Sequence, residues 1–228
     1  MVTVIIPVYN GEEHLAKAIE SALAQRYRPL EIVVVDDGST DASLDIARSY
    51  AQVRVVHQTN QGHAAARNAG LAVRRGECVA FLDADDTWHP DKLHTQMTYL
   101  DEHPELGYVI CRMQVFLEPG TEWPSWLNKD HYVRAPAGFV PSALVARQWV
   151  FEEIGGFDVS YRHGNDSDWF FKARDAGIPM GVVPQVLLFK RVHTANMSHA
   201  VDEMTSDILR VVRSSLVRRK RFHREGGL

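Results

Sequence analysis

Short β-branched runs alternate with helix-forming stretches through the first half of the chain. The chain opens with one such run, Val2–Val8, and apolar residues at helical spacing follow to about Gln25. The same alternation predicts further strands at 31–35, 53–57 and 78–82, and further helices at 41–50, 64–73 and 90–102. Strands separated by helices imply right-handed βαβ units. We therefore expect an α/β fold with a mostly parallel central sheet.

The pattern is less regular beyond His103-Pro104. A strand is predicted at 108–116, followed by a loop region at 118–141 that is rich in Pro, Trp and Gly. Helices are predicted near 142–153 and 168–176, with an apolar stretch at 181–189 after them. From about Asp207, arginines and aliphatic residues share one segment, which predicts a basic amphipathic helix.

Composition limits the class of protein. With 228 residues, 45% of them hydrophobic, the chain is long enough to bury a sizeable core. Two cysteines argue against a disulfide scaffold, and a formal net charge of −4 argues against general binding of nucleic acid. No apolar run approaches the roughly 20 residues that span a bilayer. A soluble cytoplasmic protein is the expectation.

An acidic string follows the predicted strand at 78–82. Asp83 and Asp85 are separated by one residue, and Asp86 comes next. Carboxylates at the end of a buried strand lie at the edge where open α/β sheets bind ligands, and Mg²⁺ and Mn²⁺ prefer such oxygen donors. A solvated turn or a helix N-cap is the alternative interpretation.

Five separated motifs stand out along the chain, at Val4–Asn10, Val35–Ser39, Asn60–Gly70, Leu82–Asp86 and Gly164–Trp169. Together they resemble the motifs of family 2 glycosyltransferases. The resemblance covers roughly residues 2–198, and the five motifs occur in the family's order. It implies the GT-A fold, with helices on both faces of the sheet and a smaller subregion on the acceptor side.

The resemblance also implies a donor site. Asp37 is expected to accept a hydrogen bond from a uracil-like base or a ribose hydroxyl, and Pro7 and Tyr9 to line the base pocket. Arg67 resembles a basic residue that contacts the nucleotide, and its task would be to neutralise the diphosphate. The alternatives are turn formation for Asp37, core packing for Pro7 and Tyr9, and a surface ion pair for Arg67.

The metal and base assignments follow from the same resemblance. Asp85 and Asp83 are assigned as the residues that bind Mn²⁺ or Mg²⁺ together with the phosphates. Asp166 is assigned as the catalytic base. The family usually has Glu-Asp where this chain has Asn165-Asp166, and Asp168 competes for the role of base.

A string at 190–198 resembles one that closes many family active sites. It assigns Arg191 to phosphate and His193 to the metal, although lone histidines more often have packing or surface roles. Trp123, Trp126 and Trp149 are candidates for stacking on a sugar or for core packing.

The predicted function is inverting, metal-assisted transfer of a sugar from a nucleotide-sugar, a UDP-sugar, to an acceptor hydroxyl. The acceptor class stays open among a glycan, a lipid-linked sugar, a peptide and a small molecule. A nucleotidyltransferase and a non-catalytic docking module are the alternatives. Residues 1–105 are expected to form the nucleotide-sugar half and residues 106–200 the acceptor half. Residues 201–228 are a basic tail, a candidate for contact with an anionic membrane surface or a protein.

Overall fold

The computed structural model describes residues 1–124, 128–193 and 201–225, and for residues 201–204 and 220–225 it describes the backbone alone. The strands are β1 (Val2–Val8), β2 (Leu30–Asp36), β3 (Val53–His57), β4 (Cys78–Phe81), β5 (Thr87–Trp88), β6 (Tyr108–Leu117), β7 (Leu144–Arg147) and β8 (Met180–Val192). The helices are α1 (Leu15–Leu23), α2 (Ser43–Arg48), α3 (His63–Val73), α4 (Lys92–Glu102), α5 (Lys129–Val133), α6 (Gln148–Ile154), α7 (Asn165–Asp175) and α8 (Val201–Glu225).

All eight strands form one sheet, in the order β3-β2-β1-β4-β7-β6-β8-β5. The first four strands in sequence are parallel, and their register places the carboxyl ends of β2, β1 and β4 at one edge. β7 runs antiparallel to both of its neighbours, β8 is parallel to β6, and β5 is antiparallel to β8. The mostly parallel sheet is therefore confirmed for the first half, and the second half is mixed.

Helices cover both faces of the sheet, as predicted. One core contains the buried faces of α1 and α4, and the other contains those of α3, α6 and α7. α3 approaches the sheet closely because a Cβ at Gly70 would collide with the Ile5 side chain on β1. This close packing fixes the position of α3 relative to the sheet edge where β1 ends.

The predicted helix at 142–153 is wrong in its first half. A single 3₁₀ turn at Pro141–Ala143 leads into strand β7, and α6 begins only at Gln148. Leu144, Val145 and Ala146 are fully buried between β4 and β6. A strand buried on both faces has no alternation of apolar and polar residues, so its periodicity does not distinguish it from a helix.

Three smaller features also differ from the prediction. β5 was not predicted, the loop region at 118–141 contains the short helix α5, and α7 begins at Asn165 rather than Asp168. The tail is helical, as predicted, and begins at Val201 rather than near Asp207. Along the described parts of the chain, no helix combines the length and apolarity needed to cross a bilayer.

Candidate active site

Asp37 follows β2 and organises the loop that leads into α3. Its Oδ1 accepts hydrogen bonds from Gln58 Nε2 at 2.7 Å and from the Gln61 backbone N–H at 2.9 Å, and its Oδ2 accepts one from Gly62 at 2.8 Å. The next residue, Gly38, has φ 77° and packs against this loop too closely for a side chain. Asp37 thus has the turn-forming role given above as its alternative. A carboxylate offers about four acceptor positions, and Asp37 is 2% exposed, so a ligand would have to reach the fourth position through a nearly closed surface.

The other residues predicted to bind the donor base lie near Asp37. Pro7 is buried in β1 opposite Val35, and Tyr9, just beyond the end of β1, is 53% exposed. Asp36 is buried and contacts His57 Nδ1 through Oδ2 at 2.7 Å. An exposed aromatic ring beside an ordered polar loop is suited to packing against a flat base.

Asp83 lies two strands away along the same sheet edge, about 10 Å by the usual strand spacing. Its Oδ1 accepts a hydrogen bond from Arg67 at 2.8 Å, and a second guanidinium nitrogen donates to Asn165 Oδ1 at 3.1 Å. Burial alone would raise the pKa of Asp83, but the charges of Arg67 and Lys190 lower it to about 2. Arg67 is itself 5% exposed, so its charge is committed to Asp83 and Asn165.

Asn165 joins α3 to the start of α7. Its Nδ2 contacts His63 Nε2 at 2.7 Å, and burial together with the charge of Arg67 lowers the pKa of His63 to about 4. The imidazole is therefore neutral at pH 7, and its Nε2 accepts the amide hydrogen. The sequence did not identify His63 as a site residue because its partner is 102 residues away.

Asp166 occupies the first turn of α7, beside this network. Its Oδ1 accepts a hydrogen bond from the Ser167 N–H at 2.7 Å. Burial raises its pKa above the ordinary 3.8, and the charges of Arg67, Asp83 and Lys190 all act on it. Asp168, the competing carboxylate, is 1% exposed and forms ion pairs with Lys172 at 2.9 Å and Arg218 at 3.3 Å. Of the two candidate bases, Asp166 rather than Asp168 therefore lies in the same electrostatic environment as Asp83.

The end of β8 closes the site opposite the acidic string. His193 Nε2 is 3.2 Å from Asp85 Oδ2, and Arg191 Nε donates to the Asp85 backbone oxygen at 3.1 Å. The hydrogen bond to Asp85 is the main cause of a raised pKa at His193. The Asp86 carboxylate does not cap the following turn, because it accepts hydrogen bonds from the Arg191 backbone and from Lys190 Nζ.

Lys190 is a site residue that the sequence interpretation missed. Burial alone would lower its pKa, but the carboxylates of Asp86, Asp85 and Asp83 raise it above the ordinary value. A cation among three carboxylates at this sheet edge balances their charge and is also suited to contact phosphate. Its signal in the sequence was its place directly before the Arg191-Val192-His193 motif.

The predicted metal ligands fit a divalent cation unequally. Asp85 and His193 lie side by side and are partly exposed, with 27% and 15% of their side chains accessible. A carboxylate oxygen with an imidazole nitrogen suits Mn²⁺ better than Mg²⁺. Asp83 instead directs Oδ1 at Arg67, so it is a less suitable ligand.

One of the predicted tryptophans, Trp149, lies away from this site. Trp149 lies on α6 beside Gly107, near the amino end of β6 and so at the sheet edge opposite the acidic string. Trp126 lies outside the described residues, as do residues 194–198 of the closing motif.

The candidate site is built by residues that follow β1, β2 and β4, by the starts of α3 and α7, and by the end of β8.

The sequence model described as Glycosyl transferase family 2 matches residues 3–178. The chain belongs to this family. The putative glycosyltransferase EpsH of Bacillus subtilis is 31% identical over 215 residues, which cover 86% of this chain and 62% of that protein. This family 2 chain therefore spans less than two thirds of that relative's length.

Solved structures support the GT-A fold. A TarS fragment from S. aureus in complex with UDP-GlcNAc superposes with a TM-score of 0.77 at 22% identity, covering 95% of this chain and 66% of the fragment. The mannosyltransferase PcManGT from Pyrobaculum calidifontis, in complex with GDP-Man and Mn²⁺, superposes with a TM-score of 0.74 at 22% identity, covering 94% and 64%. The family 2 chain therefore has the GT-A fold expected from its motifs.

Proposed function

We propose that this family 2 chain transfers a sugar from a UDP-sugar to an acceptor hydroxyl with inversion. The observation that carries the proposal is the position of Asp166. Burial raises the pKa of this carboxylate, which lies in the electrostatic surroundings of Arg67 and Asp83, and Asp85 and His193 are in contact along the same sheet edge. A base close to a set of phosphate-binding groups is what a direct displacement requires.

The donor would lie along the sheet edge from Asp37 towards Asp85. Asp37 has one acceptor position left for an N–H of the base, and Tyr9 offers a ring for packing. The two phosphates would then reach Lys190, Arg191 and the Asp85–His193 pair. A divalent cation held by Asp85 and His193 would stabilise the negative charge on the leaving diphosphate. Arg67 would hold Asp83 and Asn165 in position through its hydrogen bonds and would not contact the donor.

Asp166 would accept the proton of the acceptor hydroxyl as its oxygen attacks the anomeric carbon. The new bond joins that oxygen to the carbon, while the bond from carbon to phosphate oxygen breaks and its electron pair leaves with the nucleoside diphosphate. Attack on the face opposite the leaving group inverts the configuration. Asn165, in place of the family's usual Glu, keeps the amide network that orients this turn of α7 without adding a second negative charge.

The test is the Asp166→Asn variant. We expect UDP binding to be retained and turnover to fall by about 10²–10⁴-fold, the usual contribution of a positioned base. Calorimetry of UDP binding and release of UDP from the sugar donor measure the two effects. Asp168→Asn tests the competing carboxylate, and its folding is checked first because Asp168 is buried and paired with Lys172 and Arg218. Intact turnover in Asp166→Asn would refute the base assignment, and release of pyrophosphate from a nucleoside triphosphate would indicate a nucleotidyltransferase instead.

The raised pKa of Asp166 sets the expected pH dependence. Only the deprotonated carboxylate accepts a proton, so turnover should fall as the pH drops through a value above 3.8. A pH profile of the rate at saturating donor checks this limb. An acid limb that is unchanged in Asp166→Asn would show that another group titrates.

We further propose that the outward face of α8 contacts an anionic membrane surface. Its described exposed residues include four aliphatic side chains, which are Leu209, Val212, Leu216 and Val217. The same exposed face carries Arg210, Arg213 and Arg219, while Asp207, the acid within 205–219, is buried and paired with Arg210. Aliphatic residues flanked by arginines suit the boundary between lipid headgroups and acyl chains.

Co-sedimentation with vesicles tests this contact. The full chain should pellet with vesicles that contain phosphatidylserine and remain in solution with purely zwitterionic vesicles. A Leu209→Ser, Leu216→Ser double variant changes only exposed positions and should lose pelleting. Equal pelleting of the variant and the unchanged chain would remove the proposal.

The proposed function keeps the division of the chain into a nucleotide-sugar half at 1–105, an acceptor half at 106–200 and a basic tail at 201–228.

A further inference from the structure

His14 is a buried histidine that the sugar-transfer proposal does not use. It precedes α1, its side chain is 6% exposed, and among the described residues its Nδ1 has no hydrogen-bond partner. A buried polar atom without a partner costs free energy and commonly marks a bound water. The other ring nitrogen, Nε2, faces a carboxylate and is the atom of His14 that a metal ion would contact.

Two further metal-binding side chains converge on His14. Glu118 follows β6, and its Oε1 is 3.6 Å from His14 Nε2. The ring of His193 lies 5.0 Å from the ring of His14, measured between centroids. One donor atom from each of the three side chains lies within 4.8 Å of the others, and no other such group occurs among the described residues.

We propose that His14, Glu118 and His193 bind a divalent transition metal, preferentially Zn²⁺ or Co²⁺ over Mg²⁺. Two imidazoles and one carboxylate form a common three-ligand set for zinc, whereas Mg²⁺ prefers oxygen ligands alone. Ligand bonds of about 2.0–2.2 Å at tetrahedral angles place two donors roughly 3.4 Å apart. His14 Nε2 and Glu118 Oε1, at 3.6 Å, already have nearly this separation. Donor atoms as far apart as 4.8 Å would have to approach each other by about 1–1.5 Å through side-chain rotation.

Asp85 would support this site without being a ligand. Its Oδ2 contacts His193 Nε2 at 3.2 Å, so we assign Nδ1 of His193 as the ligand atom. A carboxylate on the distal nitrogen of a metal-bound histidine fixes the tautomer and strengthens the ligand. The site is thus distinct from a cation bound directly by Asp85 and phosphate, although the two share His193.

Arg191 is the group that opposes metal binding here. Its NH1 is 3.5 Å from the same Glu118 oxygen that faces His14. A bound cation would take over Glu118, and Arg191 would keep its hydrogen bond to the Asp85 backbone oxygen and its contact with the Phe116 ring. Exchange of a guanidinium for a metal leaves the Glu118 charge neutralised in both states.

The test is titration of the full chain with Co²⁺, read from the visible absorption of the protein-bound ion. No nucleotide or sugar is present, so the result does not depend on the proposed sugar transfer. We expect Glu118→Gln and His14→Leu each to weaken Co²⁺ binding by at least about tenfold, since even outer-shell changes cost 10–100-fold. Zn²⁺ should displace the bound Co²⁺ where equal Mg²⁺ does not.

The control is a histidine and glutamate pair of similar spacing elsewhere. His103 Nδ1 lies 3.5 Å from Glu105 Oε1, and both side chains are well exposed. His103→Gln should leave Co²⁺ binding unchanged. Glu118→Gln keeps the shape of a side chain that is 24% exposed, so it tests the site even if His14→Leu does not fold. Unchanged Co²⁺ affinity in folded Glu118→Gln, or displacement by Mg²⁺ as readily as by Zn²⁺, would overturn the inference.

Discussion

The buried ion pair between Arg67 and Asp83 should contribute measurably to stability. Arg67 is almost fully buried, so Arg67→Met leaves Asp83 and Asn165 without their donor. Because solvent still reaches Asp83, we expect a loss near the lower end of the range for broken buried pairs, about 3 kcal/mol in the free energy of unfolding. Urea denaturation at pH 7 measures it. Arg26→Met is the control, because the exposed Arg26–Asp91 pair should contribute at most about 1 kcal/mol.

The same pair predicts a pH dependence. The pKa of Asp83 is lowered to about 2 in the folded state, from an ordinary 3.8. Its stabilising effect is therefore complete above about pH 4 and is lost as the pH falls towards 2. The difference in unfolding free energy between the unchanged chain and Arg67→Met should narrow over this window. A constant difference between pH 5 and pH 2 would contradict the assignment.

The acidic string illustrates what the sequence predicts at the scale of residues. Because the three carboxylates follow a clearly apolar strand, the sequence predicted that all of them lie at the edge of the sheet. The family resemblance assigned Asp85 and His193 to one metal, which implies their contact, but nothing predicted that Asp83 contacts α3 or that Asp86 contacts Lys190. Those partners belong to other elements, and local spacing carries no information about which distant groups reach a given carboxylate.

At the scale of elements, α8 is held against α7 by charges as well as by apolar packing. Arg218 contacts Asp175 at 3.0 Å and Asp168 at 3.3 Å, and both carboxylates are almost completely buried. Arg218→Ala should therefore lower the free energy of local opening of α8 by about 1–3 kcal/mol, which speeds amide exchange by roughly 5- to 150-fold. Hydrogen exchange with mass spectrometry checks residues 205–219.

Arg213→Ala provides the comparison for this element. Arg213 is exposed on the outward face of α8, so its removal should leave the exchange rates of the helix unchanged. Equal protection of α8 in Arg218→Ala and Arg213→Ala would mean that Val211 and the other apolar contacts alone hold the helix in place.

Strands β1 and β4 are buried at every residue and were predicted from their short apolar runs. The helices that the sequence predicted correctly have one exposed and one buried side. α1 and α3 show this contrast, and their positions follow from apolar spacing. β7 has no such contrast between an exposed and a buried side, because its first three residues are fully buried. β5 is only two residues long, which is too short to show any pattern. Both missed strands exist because long-range partners complete them, which a local pattern does not encode.

At the scale of the whole molecule, nucleotide binding should raise thermal stability. The proposed donor site draws on both halves of one continuous sheet, so a bound ligand stabilises the folded state as a unit. Among nucleoside diphosphates with Mn²⁺, we expect UDP to give the largest rise in melting temperature. A concentration 100-fold above the dissociation constant adds about 2.7 kcal/mol, or several degrees for a domain of this size.

A thermal-shift screen with and without Mn²⁺ makes this measurement. Asp85→Ala should reduce the part of the shift that depends on Mn²⁺ and leave the metal-independent part largely intact. A larger shift with GDP than with UDP would redirect the donor assignment, and no shift with any nucleoside diphosphate would refute the donor site.

The contact between Asp85 and His193 joins positions 108 residues apart. At about 5–20 residues per second, a ribosome makes His193 roughly 5–20 seconds after Asp85. During that interval a nascent chain has the acidic string without the histidine that completes the pair. Under the proposed function, capture of a cation by this pair has to wait until synthesis has passed β8, so metal loading would be a late event in the biogenesis of the protein.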